Sequence, residues 1–118
     1  MRRGSLVEVK VFKNPKLSHP LTDIYAKEIK NLKSDKNYKS CLLGKDADFG
    51  TPPNAKLADV RHFHITKHYA SDSYVIYCSG FTNANYYLLI DVIEEDAHKK
   101  CWSMTKYIEV AEKFRAKY

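Results

Sequence analysis

The clearest sign of chemistry in this sequence is a pair of histidines one residue apart, in the run Arg61-His62-Phe63-His64-Ile65. Side chains alternate between the two faces of a β-strand, so His62 and His64 are expected on one face and Phe63 on the other. Free imidazoles have pKa values of about 6.5 and transfer protons at neutral pH. The pair therefore predicts an acid–base site. Two partly exposed structural histidines and two zinc ligands are the alternatives, with zinc least favoured because no cysteine or carboxylate stands at a usual spacing.

A second candidate is the run Asp96-Ala97-His98-Lys99-Lys100, which is predicted between the last strand and the last helix. A titratable group followed by two cations suits a scissile phosphate, because cations neutralise the charge that builds on the phosphorane oxygens. The alternative is a solvated turn before a helix. In such a turn Asp96 is favourable and the two lysines are not, because the helix dipole is positive at its N-terminus.

Composition and charge indicate the class of protein and the kind of partner. With 118 residues, of which 44% are hydrophobic and 29% charged, the chain fits one globular domain. A net charge of +6 favours a polyanionic partner such as RNA, DNA or an anionic membrane surface. No apolar run approaches the ~18 residues of a membrane-spanning helix. No signal peptide is predicted and residues 1–5 read as vector-derived or disordered, so a cytoplasmic location is expected.

Cysteine and tyrosine add two further expectations. The wide spacing of Cys41, Cys78 and Cys101 predicts reduced thiols rather than disulfides or a zinc knuckle. The chain has nine tyrosines. An exposed tyrosine beside lysines can stack on an RNA base, but most of the nine are expected in the core or at its rim.

Hydrophobic periodicity predicts the elements that must position these residues. Four segments have strand patterns: 6–13, 58–66, Tyr74–Cys78 and Tyr86–Glu94. The last of them is apolar on both faces, which predicts a central strand. One helix is predicted to begin near Ser18–Pro20 and another to run from about Trp102 to Tyr118, while residues 34–55 are predicted to be a loop or short helix. The order predicts one α+β domain, an antiparallel meander packed against N-terminal and C-terminal helices.

Lysines give the first predicted helix one basic side, at Lys27, Lys30 and Lys33. A solvated helix face is the usual explanation of such a pattern. An RNA-facing role is the alternative.

Several runs of the sequence are shared with a known family: His62–Ile65, Val75–Gly80, Leu88–Ile90, His98–Lys99 and Ala111–Arg115. On these runs the chain resembles the YafO family of type II toxins. The similarity covers most of the chain and is nearly gapless from Tyr74 on, whereas Cys41–Lys56 departs from the pattern. The resemblance implies a RelE-like fold, ribosome-dependent cleavage of mRNA without a metal or other cofactor, and neutralisation by a YafN-like antitoxin.

The mechanism that goes with this resemblance is attack of an RNA 2′-hydroxyl on the adjacent phosphate, helped by an acid, a base and cations. The predicted catalytic residues are His62, His64, His98, Lys99 and Arg115. The predicted RNA-binding residues are Arg61, Lys67, Tyr77, Lys100 and Tyr118. Tyr77 or Tyr118 is expected to orient the base or to stack on it.

Two other classes of function remain open from the sequence. A non-catalytic RNA- or ribosome-binding regulator would need the same basic charge and the same tyrosines. A RelE-related poison of DNA gyrase is the second alternative. The paired histidines and the run His98–Lys100 favour the nuclease, while codon preference and oligomeric state are not predicted.

Overall fold

Five strands form one mixed sheet in the computed structural model, which describes residues 8–49, 53–66, 73–94, 97 and 104–118. In chain order the strands are β1 (Lys10–Lys13), β2 (Leu43–Asp48), β3 (Arg61–Ile65), β4 (Tyr74–Ser79) and β5 (Tyr86–Ile93). Across the sheet their order is β1-β5-β4-β3-β2. Strands β2 to β5 form an antiparallel meander, and β1 joins β5 in parallel at the far edge.

Helices pack against both faces of this sheet. They are α1 (Thr22–Ser34), α2 (Pro53–Leu57) and α3 (Thr105–Lys117). Helix α1 buries Tyr25, Ala26 and Ile29 in one core, while α3 buries residues at helical spacing, including Ile108 and Ala111, in the other. We call the two sides of the sheet the α1 face and the α3 face.

The central strand β4 supplies both cores because its side chains alternate. Val75 and Tyr77 are fully buried on the α1 face, and Ile76 and Cys78 are fully buried on the α3 face. Burying an aliphatic side chain of this size contributes about 1.5–3 kcal/mol. The two cores therefore fix the register of β4, and with it the neighbouring positions of β3.

The predicted α+β class is confirmed, and so is the interior position of β5, which lies between β1 and β4. Two expectations were wrong. Residues 34–55, predicted as a loop or short helix, contain the edge strand β2. Its sequence Leu43-Gly44-Lys45-Asp46-Ala47-Asp48 has little strand propensity, and pairing with β3 overrides that preference. The first strand was expected in an antiparallel sheet, but it runs parallel to β5.

The start of α1 also differs from its prediction. A turn occupies the predicted first residues: the Thr22 hydroxyl donates to the His19 carbonyl at 2.7 Å, and the Leu21 N–H donates to His19 Nδ1 at 3.0 Å. The helix therefore begins at Thr22 rather than at Ser18–Pro20. None of the helices described has both the length and the apolar character that crossing a membrane requires. Cys41 and Cys78 are free thiols, as predicted, and Cys101 lies outside the described residues.

Candidate functional site

The two histidines of β3 stand side by side on the α3 face, as their spacing predicted. The ring centroids of His62 and His64 are 5.1 Å apart. Phe63, which lies between the two histidines in the chain, and Ile65, which follows them, are buried in the core on the α1 face. Helix α3 packs mainly over β4 and β5. The imidazole pair therefore lies beside α3 rather than beneath it.

His62 is the more enclosed of the two. Only 6% of the residue is exposed, and its ring packs between Phe49 and Tyr74 at centroid distances of 4.4 and 4.2 Å. Burial, with a smaller contribution from neighbouring His64, lowers the pKa of His62 to about 4. The ring is therefore neutral at pH 7. Its Nδ1 atom is buried and has no hydrogen-bond partner in the described part of the chain.

His64 is partly exposed and is the imidazole of the pair that solvent reaches more readily. Its ring meets Tyr74 edge to face at a centroid distance of 5.0 Å. Tyr74 thus contacts both imidazoles and holds their relative orientation. We call His62, His64, Tyr74 and Phe49 the imidazole cluster.

Four predicted site residues, Lys67, His98, Lys99 and Lys100, lie outside the described residues. Ala97, which directly precedes His98 in the chain, is fully buried in the core of the α3 face, and Tyr74 belongs to the same core. Ala97 therefore lies on the same face of the sheet as the imidazole cluster.

Arg61 and Tyr77, predicted to bind RNA, lie on the opposite face. Tyr77 is fully buried and its hydroxyl donates to Asp46 Oδ1 at 2.7 Å. Arg61 Nε approaches the Tyr77 hydroxyl at 3.3 Å and Asp46 Oδ1 at 3.4 Å. Burial and the nearby Asp46 carboxylate raise the pKa of Tyr77 well above its usual range, so its hydroxyl keeps its proton. The sheet separates this pair from the imidazole cluster.

Lys33 of α1 completes that group on the α1 face. Its ammonium donates to Asp46 Oδ2 at 3.0 Å and lies 5.1–5.5 Å from the ring centroids of Phe63, Tyr77 and Tyr87. We call Lys33, Asp46, Arg61 and Tyr77 the Asp46 cluster. No sequence pattern points to Asp46, because β2 has little strand propensity, and the sequence predicts Lys33 on a solvated helix face with an RNA-facing role as the alternative.

Arg115 and Tyr118, at the end of α3, belong to neither the imidazole cluster nor the Asp46 cluster. Arg115 Nη1 donates to the carbonyls of Ser79 at 2.9 Å and Gly80 at 3.4 Å, and its guanidinium lies 5.5 Å from the centre of the Phe81 ring. The Tyr118 ring stacks on Phe12 at 5.1 Å. These contacts fasten the end of α3 to the end of β4 and to β1.

Arg115 is distant from the imidazole cluster. His64 pairs with Tyr74 at the start of β4, whereas Arg115 binds Ser79 at the end of that strand. Five residues of strand span about 16 Å at a rise of about 3.3 Å per residue. The described residues thus divide the predicted site among three places: the imidazole cluster, the Asp46 cluster and the end of α3.

A polar groove that the sequence did not suggest lies between β5, α3 and the turn before α1. It has a volume of about 570 Å³, and its lining includes His19, Asp91, Glu94, Lys106 and Tyr107. His19 Nε2 lies 2.9 Å from Glu94 Oε2, and the Tyr107 hydroxyl donates to Asp91 Oδ2 at 2.7 Å. His19 is thus held from both ring nitrogens, since its Nδ1 accepts from Leu21.

Across the residues that the structure describes, no three histidine, cysteine, aspartate or glutamate side chains gather as metal ligands would. Imidazole pairs beside a third donor are the usual zinc arrangement. The described part of the imidazole cluster offers aromatic rings instead.

Comparison with known proteins gives one match. A family model described as "Toxin YafO, type II toxin-antitoxin system" matches residues 27–116, which is most of the chain and includes β2 to β5 and nearly all of α3. The resemblance drawn from the shared runs is thereby confirmed. Neither a curated protein nor a solved structure matches the chain.

Proposed function

This chain belongs to the YafO family of toxins from type II toxin–antitoxin systems, and we propose that it is a ribosome-dependent endoribonuclease that cuts messenger RNA. In the proposed reaction a base takes the proton of a 2′-hydroxyl, and the 2′-oxygen forms a bond to the adjacent phosphorus. The bond from phosphorus to the 5′-oxygen breaks, and an acid protonates that oxygen. The nucleophile belongs to the substrate, so the reaction needs no bound metal to supply one.

The observation that carries this proposal is the imidazole pair on the α3 face, beside α3. Its two rings lie 5.1 Å apart, and the outer ring, that of His64, is partly exposed. Positioned imidazoles contribute about 10²–10⁴-fold to proton transfer. The net charge of +6 supports an RNA substrate, because basic proteins gain affinity for the phosphate backbone.

We assign different roles to the two imidazoles. His64 contacts the RNA, because it is the more exposed ring. His62, whose pKa of about 4 leaves it unprotonated at neutral pH, suits a proton acceptor or an orienting group rather than the acid. The acid is then His64 or His98. The roles of His98, Lys99, Lys67 and Lys100, which lie outside the described residues, stay predictions from the sequence.

The remaining described residues that were predicted for the site receive structural roles in this proposal. Arg115 holds the end of α3 on β4 through two carbonyls. Arg61 and Tyr77 orient Asp46 on the other face. The proposal also includes a RelE-like architecture, supported by the meander β2–β5 between α1 and α3, and action in the cytoplasm, where messages are translated. A YafN-like protein is the proposed antitoxin.

The experiment is incubation of purified protein with ribosomes translating a defined message, followed by mapping of the new RNA ends. Attack by the 2′-hydroxyl leaves a cyclic or terminal phosphate on the upstream fragment and a 5′-hydroxyl on the downstream one. Metal-assisted hydrolysis usually leaves a 5′-phosphate. The chemistry of the ends therefore identifies the mechanism while the magnesium that ribosomes need stays in the assay.

His64→Gln and His19→Gln form a matched pair of variants, because each removes one described imidazole. We expect His64→Gln to slow cleavage by about 10²–10⁴-fold and His19→Gln to leave it nearly unchanged, with both variants shown to fold by urea titration. Equal activity of His64→Gln and the wild type would exclude His64 as a catalyst. Intact messages with the wild-type protein would favour the non-catalytic RNA- or ribosome-binding regulator.

A further inference from the structure

Strand β1 leaves one side of its backbone open. Among the described strands it pairs with β5 alone. Lys10 N–H donates to the Asn85 carbonyl at 3.1 Å, and Asn14 N–H donates to the Leu89 carbonyl at 2.9 Å. Backbone groups alternate in direction along a strand, so the N–H and C=O groups of Val11 and Lys13 point away from β5. These groups form an edge on which another strand can pair.

A groove of about 420 Å³ runs between this strand and α1. Its apolar lining consists of Val11, Phe12 and Ala26. Its charged lining consists of Lys10, Lys13, Asp23, Lys27 and Lys30. Backbone edge, apolar surface and cations are thus next to one another.

The charge of the groove is predominantly positive. Lys13 pairs with Asp23, and Lys10 lies 3.5 Å from the exposed carboxylate of Glu8. Lys27 and Lys30 are exposed, and no carboxylate of the described residues forms an ion pair with either. Four ammonium groups therefore face two carboxylates, which leaves a surplus that attracts negative charge.

We propose that this groove receives an extended, acidic segment of the antitoxin, which adds to the sheet as a sixth strand beside β1. An open strand edge is completed by another polypeptide, whose backbone supplies matching donors and acceptors at the right spacing. Alternate side chains of such a strand point towards α1, where apolar ones can pack on Val11 and Ala26 and acidic ones can pair with Lys27 and Lys30. An RNA strand satisfies the lysines but cannot continue the ladder.

The lysines have a compatible second effect. Cations along an edge strand discourage pairing between copies of the same protein, because like charges repel. The same cations attract an acidic partner. Copies of the toxin are therefore kept from pairing along this edge, which stays accessible to the antitoxin. This inference rests on membership of the toxin family and holds whether or not the protein cuts RNA.

Two kinds of variant of the full-length toxin test separately the contribution of the open backbone edge and that of the lysine charge. Val11→Pro removes an N–H that points away from β5 and leaves the hydrogen bonds to β5 in place, and edge strands tolerate proline at such positions. Its control, Val11→Ala, shortens the same side chain and keeps the N–H. The double variant Lys27→Glu with Lys30→Glu reverses the unpaired charge. Lys106→Glu with Lys113→Glu, on exposed positions of α3, is its control.

Affinity is measured by calorimetry with the antitoxin encoded beside the toxin, identified as the protein whose coexpression restores growth. We expect Val11→Pro and the Lys27–Lys30 double variant each to weaken binding by about tenfold or more, and both controls to stay within about threefold. Unchanged affinity in both test variants would overturn the proposal.

Hydrogen exchange on the wild-type toxin gives a readout that needs no variant. On antitoxin binding, the amides of Val11 and Lys13 are expected to slow, because they gain partners, while that of Lys10 changes little, because it is already bonded. Unchanged exchange at Val11 and Lys13 contradicts strand addition. A single-stranded oligoribonucleotide is the competing probe: if it alone binds and Lys27→Glu with Lys30→Glu weakens it, the groove is an RNA surface and the proposal fails.

Discussion

Where β3 lies beside β4, polar side chains have different environments on the two faces of the sheet. On the α1 face, the Asp46 carboxylate accepts hydrogen bonds from Tyr77, Arg61 and Lys33. On the α3 face, the buried Nδ1 atom of His62 has no partner in the described part of the chain, and the ring packs between aromatic neighbours. Two neighbouring residues of one strand, Arg61 and His62, thus meet opposite environments.

This difference separates a structural explanation from a functional one. A network whose members satisfy one another is what folding stability favours. A buried polar atom without a partner costs about 1–3 kcal/mol. The Asp46 cluster is therefore explained by the stability of the fold, whereas the described residues offer the buried Nδ1 atom of His62 no such partner, which favours a role for His62 in function. Three measurements test this comparison.

The largest effect is expected from pH, through His62. Its pKa is about 6.5 in the unfolded chain and about 4 in the folded one. Between those values the unfolded state binds more protons, so stability falls as the pH falls. Lowering the pH from 7 to 4 should therefore reduce the free energy of unfolding by about 3 kcal/mol through this residue. Urea titrations at a series of pH values measure the change.

The contribution of His62 is isolated by comparing the wild type with His62→Leu. The variant should lose this part of the pH dependence, and His19→Gln should keep it. Coincident pH profiles of the wild type and His62→Leu would show that the imidazole titrates normally, and the contrast between the faces would disappear.

A smaller loss is expected from Asp46→Ala. The substitution leaves Lys33 and Arg61 without their shared carboxylate, and because all three side chains are partly solvated we expect a loss of about 2 kcal/mol. Asp48→Ala, on an exposed position of the same strand, should change stability by less than about 0.5 kcal/mol. Urea denaturation measures both. An Asp46→Ala protein of normal stability that no longer cuts RNA would move the functional site to the α1 face.

The smallest effect is expected from Tyr77→Phe, which removes one hydroxyl and keeps the buried ring. Asp46 retains its other donors, so the cost should be about 1 kcal/mol, with RNA cleavage nearly unchanged. Tyr86→Phe is the control, because the described contacts of the Tyr86 side chain are made by its ring. Thermal unfolding compares the two. Equal stability of the two variants would mean that the Tyr77 hydroxyl adds nothing to the Asp46 cluster.

Much of the β3–β5 region followed from the sequence because its signal is local. Strict alternation placed His62 and His64 on one face and Phe63 on the other, and the apolar run Tyr86–Ile93 predicted an interior strand. Strand β2 was missed because Gly44, Lys45 and Asp48 carry no strand pattern of their own. Its pairing with β3 is a contact between distant segments, which periodicity does not record.

The toxin family, the α+β class and the side of β3 from which each imidazole projects follow from the order of residues, because shared runs and a period of two residues are properties of neighbouring positions. Tertiary structure alone decided that Arg61 and Tyr77 bind Asp46 across the sheet from the histidines, and that Arg115 holds the end of β4. It also decided that His62 is buried among aromatic rings. These outcomes depend on which strands and helices come to lie beside one another, and packing between distant segments sets the burial and the partners of each side chain.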